Sequence, residues 1–138
     1  MTKKKRLQWI IDNLPLNKFQ LDEEATKQSE IMWEASQFLV EARDNTLKAK
    51  NRLEIVEMDI ISDIHKNPNK YNLPKTTDAV VTKAVKSSEE YQEAFEEYLD
   101  AKKEEDEYAL LMDNIRQRGH QIKILTELWL NNYYVETT

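Results

Sequence analysis

The chain has 138 residues, a net charge of −6, one Gly, three Pro and no Cys, and 33% of its residues are charged. Without Cys there are no disulfides, thiolate metal sites or cysteine nucleophiles, and so little Gly and Pro suits long, solvent-washed helices. No apolar run approaches the ~20 residues that cross a bilayer, which predicts a cytoplasmic protein without membrane contact.

The first twenty residues carry a balance of +4 from Lys3, Lys4, Lys5, Arg6 and Lys18 against Asp12. Residues 7–14 resemble a signal peptide core only superficially, because Gln8, Asp12 and Asn13 interrupt them. They read instead as a short amphipathic helix with Trp9, Ile10 and Leu14 on one face. Pro15 biases its neighbour away from helical geometry. Residues 1–20 are therefore expected to be a basic N-terminal segment and linker, with the lysine cluster as an electrostatic arm.

A long helix is predicted from near Asp22, whose carboxylate suits an N-cap, while Glu23 and Glu24 complement the positive helix end. Ala35, Leu39, Ala42, Thr46, Ala49, Leu53, Val56 and Ile60 alternate in steps of four and three, a heptad seam. Trp33 and Phe38 lie off this line and are expected to widen the apolar face. Small residues on the seam imply close approach of a partner helix, whose identity the pattern leaves open.

The connector around Pro68 and Pro74 disfavours long helix and strand. Thr76 or Thr77 then caps a short helix through Val85, and Ser87 with Glu90 has capping-box spacing at the start of a second long helix. That helix opens with Tyr91, Phe95, Tyr98 and Leu99, is interrupted at Lys102 and Glu105, and resumes at Tyr108, Met112, Ile115, Ile122, Leu125, Trp129 and Tyr133. Gly119 within it marks a kink, a close backbone contact or a helix end. The expected architecture is all-α: a long antiparallel, coiled-coil-like helical hairpin over residues 21–138, its tip at 66–87. A short helix stands at the N-terminus and another at the tip.

His65 and His120 are the two histidines, and no E-x-x-H pair, phosphate-binding Gly loop or zinc helix is present, so neither catalysis, a metal nor a cofactor is expected. Residues 87–107 reach −8, which reads as a solvated acidic face or a dock for a basic partner. The tip is basic: Lys66, Lys70, Lys75, Lys83 and Lys86 against Asp78, with Tyr71 as its aromatic. Lysines can replace counterions on phosphates and an aromatic ring can stack on an unpaired base, which suits single-stranded nucleic acid; lysines for solubility are the plainer reading. Trp9, Trp33, Trp129, Tyr133 and Tyr134 are costly to expose. Either the N-terminal segment folds back over them or chains associate, and the sequence favours association.

One stretch, Leu110-Leu111-Met112-Asp113-Asn114-Ile115-Arg116-Gln117-Arg118-Gly119-His120-Gln121-Ile122-Lys123, resembles the C-terminal pattern of phage recombination mediators of the UvsY type. Leu47-Lys48-Ala49-Lys50-Asn51-Arg52-Leu53 is similar to that family's basic segment, although Ile55 and Val56 stand where the family has an aromatic pair. The resemblance implies a homo-oligomer that binds single-stranded DNA and loads a RecA-like recombinase onto DNA covered by single-strand-binding protein. It implies DNA contacts at Lys48, Lys50 and Arg52, which join Lys66, Lys70, Tyr71 and Lys75 of the tip. It also implies oligomer contacts along Ile115, Arg118, Gly119, Ile122, Lys123, Leu125, Trp129 and Tyr133. The alternative is a structural phage scaffolding or assembly protein built from acidic helical rods.

Overall fold

The structure, a computed structural model, describes residues 2–131. It is all-α: α1 (Lys3–Asp12), α2 (Leu21–Lys66), a 3-10 turn (Pro68–Tyr71), α3 (Asp78–Ser87) and α4 (Glu89–Leu130). The two long helices form the expected antiparallel hairpin. They contribute to two compact units, one made of Met1–Glu41 with Asp106–Thr138 and the other of Ala42–Glu105.

In the first unit α1 is a third layer rather than a free arm. Thr2 caps it by accepting from the Lys5 amide at 3.3 Å, so the helix begins at Lys3, before the predicted start. Asn13 closes it, donating its side-chain amide to the Trp9 carbonyl at 2.8 Å. Arg6 donates to Glu34 at 3.0 Å and to Gln37 at 3.2 Å, and Lys3 lies 3.7 Å from Glu41. Acids on α2 thus pair with two of the four cations, Lys3 and Arg6, offsetting part of the unfavourable placement of cations at a helix N-terminus. Ile10, Ile31, Ala35, Phe38, Leu39, Met112 and Ile115 form the core, flanked by Leu7, Trp9 and Leu14. Ile10, Ile31 and Ile115 are fully buried, each contributing about 1.5–3 kcal/mol. α1 thus completes the core that α2 and α4 begin, across the boundary expected at residue 20. Trp33 is a second correction: Phe38 points inward as expected, while Trp33 is 67% exposed.

In the second unit the small seam residues bring the helices close. Thr46 is buried and its hydroxyl lies 3.0 Å from the Ala42 carbonyl and 3.2 Å from the Ala101 carbonyl of α4. The partner helix left open by the sequence is thus α4 of the same chain. Ile60, Ile64, Val81 and Val85 make a second core, with Val56, Ile61, Tyr71, Leu73, Ala84 and Tyr91 packed around it. Thr77 caps α3, accepting from the Val80 amide at 3.4 Å. The cap of α4 is Ser88, not Ser87: its hydroxyl accepts from the Tyr91 amide at 3.2 Å. Ser87 instead ends α3, donating to the Lys83 carbonyl at 2.8 Å.

The interruption expected on α4 is only one of residue type. Buried Ala94 and half-buried Tyr98, Ala101 and Glu105 carry the heptad steps onward, and Lys102 turns outward to pair with Glu105 at 3.0 Å. α4 also runs unbroken through Gly119. A Cβ there would lie 3.1 Å from Nε2 of Gln28, so the glycine serves close approach. Gln28 has little room to yield, because its Nε2 donates to the Ile115 carbonyl at 2.7 Å and its Oε1 accepts from Arg118 at 2.9 Å. Replacing a helical glycine by alanine normally gains about 1 kcal/mol. Gly119→Ala should fail to deliver that gain in the intact chain and deliver it in a Gln28→Ala background, as read by urea denaturation of the four variants.

Candidate nucleic-acid interface

The basic connector belongs to the second unit, where α2 ends, the 3-10 turn reverses the chain and α3 follows. Asp63, on the last turn of α2, organises the reversal. Its carboxylate accepts from the Tyr71 hydroxyl, from Lys70 at 3.0 Å and from the Asn67 amide at 3.1 Å. Asn72 then takes the left-handed conformation, φ 54°, which Asn tolerates better than most residues. Leu73 and Tyr71 fold back on the second core.

These contacts change the roles expected for two site residues. Tyr71 is half-buried against that core and hydrogen-bonded at its hydroxyl, so its face is not free to stack on a base. Lys70 is ion-paired with Asp63 and lies over the Tyr71 ring. The sequence reading missed Asp63 because it lies just before the connector. The available signal was an acid one helical turn before Lys66, facing a Lys-Tyr pair across a tight turn.

The Tyr71 hydroxyl, with Lys70 and Asn67, holds the Asp63 carboxyl down at about 2. The same bond and burial push the Tyr71 phenol up, and Asp63 pushes Lys70 up. Because Asp63 ionises more readily in the folded chain, its contribution to stability is present above its ordinary value of 3.8 and is lost as pH falls toward about 2. The stability difference between the native chain and Asp63→Asn should therefore shrink steadily from about pH 5 to about pH 2. Urea midpoints of the two proteins across that range measure it, and a pH-independent difference would contradict the assignment.

The other predicted contacts divide by helical geometry. Lys48 and Arg52 share one side of α2, four residues apart, and Lys50 projects from nearly the opposite side. Lys48 pairs with Asp44 at 2.9 Å, which raises the lysine further, and Arg52 reaches Glu97 of α4 at 2.7 Å. All three side chains are exposed. Exposed pairs of this kind are worth about 0–1 kcal/mol, so a phosphate can displace the acid. Lys66, Lys75, Lys83 and Lys86 are also exposed, and none forms an ion pair among the described residues. Lys83 and Lys86 lie one turn apart on α3, whose opposite side buries Val81 and Val85. This set differs from the predicted one: Lys66 and Lys75 remain, Lys83 and Lys86 join them, and Lys70 and Tyr71 are already engaged.

The predicted oligomer contacts also separate. Ile115, Arg118 and Ile122 are buried within the first unit, so as placed they offer no surface to a second chain. Arg118 is bound on every side: Nε donates to the Leu14 carbonyl at 2.9 Å, Nη1 to Gln28 at 2.9 Å and to the Glu24 carbonyl at 3.3 Å, and Nη2 to the Glu24 carboxylate at 2.6 Å. Burial lowers its pKa while Glu24 opposes that shift. Gly119 accommodates Gln28. Lys123 is exposed, and Leu125 and Trp129 are half-buried, the indole donating to the Lys18 carbonyl at 2.8 Å. Phe19, Trp129 and Leu130 border an apolar groove of about 620 Å³. Tyr133 and Tyr134 lie outside the described residues.

Among the described residues no helix is long and apolar enough to cross a membrane. Compared with protein families, curated proteins and solved structures, the chain matches none.

Proposed function

We propose that this chain is a non-enzymatic recombination mediator that holds single-stranded DNA and assists the loading of a RecA-like recombinase. The observation carrying the proposal is the group of exposed, unpaired lysines Lys66, Lys75, Lys83 and Lys86 on the connector and α3. Lys48 and Arg52 on one side of α2 extend the set through ion pairs weak enough to exchange for phosphate, and Lys50 adds a cation on the other side. The resemblance of the segment around Arg118-Gly119 to UvsY-type mediators supplies the recombinase and single-strand-binding protein as partners. The proposal includes self-association, because repeating a weak lysine site would give avidity that one acidic chain lacks. The apolar groove at Phe19, Trp129 and Leu130 is a surface such association could cover, and the reading places the chain in a host cytoplasm.

Binding to a labelled single-stranded oligonucleotide should weaken steeply with salt. Four phosphate contacts imply a slope of log K against log salt of about −3. Undetectable binding at low salt, or a flat salt response, would overturn the phosphate-contact reading.

A second reading, a structural phage scaffolding or assembly protein, draws on α4. Phe95 and Leu99 are 40% and 47% exposed among Glu93, Glu96, Glu97 and Asp100, an acidic face that suits a basic shell protein. Co-purification with a shell protein in place of a recombinase would favour it.

A further inference from the structure

In the first unit, α1 and α2 leave a groove of about 420 Å³ between them, lined by Arg6, Trp9, Glu30, Trp33 and Glu34. Helical spacing assembles it. Arg6 and Trp9 are three residues apart on α1, while Glu30, Trp33 and Glu34 share one side of α2. Trp9 is half-buried, its ring packed against the core, which fixes one wall. Trp33 is 67% exposed, although a large apolar ring at that position would gain by burial.

The charges in the groove are not balanced. Glu34 is neutralised by Arg6, at 3.0 Å. Glu30 is exposed and forms no ion pair among the described residues. Elsewhere this chain sets its own cations over rings: Lys3 and Arg6 over Phe38, Lys18 over Phe19 and Lys70 over Tyr71. No described cation lies over Trp9 or Trp33. Two indoles with an unpaired carboxylate beside them are the complement of a guanidinium or ammonium group, since indole is the best aromatic partner for a cation.

We infer that this groove is a docking site for a basic segment of a partner protein, and that it takes an arginine or lysine side chain between Trp33 and Trp9 with Glu30 pairing its charge. Arginine is the better fit, because its planar group stacks on an indole while donating to a carboxylate. A polyanion is repelled by the same carboxylate, so the site is separate in kind from the lysines of the second unit and does not depend on the DNA reading.

The test uses the full chain and a fluorescently labelled peptide of alternating arginine and glycine, followed by anisotropy. Saturable binding is expected, weakened about fivefold or more by Trp33→Ala and about threefold or more by Glu30→Gln. Both side chains are on the surface, so both variants should keep the native helical circular dichroism. Glu127→Gln, an exposed acid on α4, should change affinity less than about twofold and so reports the general attraction of an acidic protein. No binding, or equal weakening by all three substitutions, would overturn the proposal. A dimer that Trp33→Ala dissolves would also overturn it, by making a second copy the occupant.

Discussion

Arg118→Ala should destabilise the chain by about 3–5 kcal/mol. The guanidinium is 4% exposed and satisfies the Leu14 and Glu24 carbonyls, Gln28 and the Glu24 carboxylate at once. Removing it leaves Glu24, itself 3% exposed, with only the partly exposed Lys27 at 3.3 Å as a counter-charge. It also releases the segment after α1, since Leu14 loses its tie to α4. A loss of that size consumes much of the roughly 5–15 kcal/mol that a domain of this kind has. Arg118→Lys should rescue little, because one ammonium cannot reach four acceptors arranged around a planar fork. Arg118→Met combined with Glu24→Leu should recover most of the loss, because no buried charge then remains. Urea denaturation followed by circular dichroism measures all three. A single Arg118→Ala loss below about 1 kcal/mol would contradict the assignment of Arg118 to the interior.

Reversing two lysines of α3, Lys83→Glu with Lys86→Glu, should weaken binding to a single-stranded oligonucleotide by at least about tenfold. The salt slope should become shallower by about 1.4, the signature of two lost phosphate contacts. Lys4→Glu with Lys5→Glu changes the net charge by the same amount in the first unit and should have a far smaller effect. That comparison separates placement from overall charge. Because an acid in the last turn of α3 opposes its dipole by about 0.3–1 kcal/mol per charge, Lys83→Gln with Lys86→Gln is the milder companion. It should show the same slope change with a smaller affinity loss. If both reversals weaken binding equally, the lysines of α3 are not a site.

The middle of the α2 seam was legible in the sequence, while Ile31 and Ile64 at its two ends, both fully buried, were not predicted. From Ala35 to Ile60 every predicted member is buried or half-buried, because alternating steps of three and four set a face whatever it packs against. On α4 the same periodicity was present but hidden, since Glu105 and Gly119 at seam positions are not apolar and Ala94 and Ala101 are too small to stand out. Thr46 and Gln28 are the side chains that approach Ala101 and Gly119 and make their places readable. The basic residues were the least legible. A lysine in sequence carries the same charge whether it faces solvent or an acid on another turn, and only the folded chain separates Lys66 and Lys83 from Lys70. Arg118 makes the point most sharply: its neighbours Arg116 and Lys123 are exposed, yet four backbone and side-chain groups more than eighty residues away draw it inside.

Trp33 and Trp9 illustrate the converse. Their apolar area suggested burial or association, and the chain uses one of them for its core and leaves the other beside an unpaired acid. Helical period alone places Trp33 off the seam; what it does there depends on α1, whose docking the sequence left as one of two options.

Native mass spectrometry of the full chain, with and without a single-stranded oligonucleotide, addresses assembly and ligand in one experiment. An oligomer that gains the mass of bound DNA, and releases it as salt rises, is the predicted result. A monomer whose mass is the same in both samples would contradict the account.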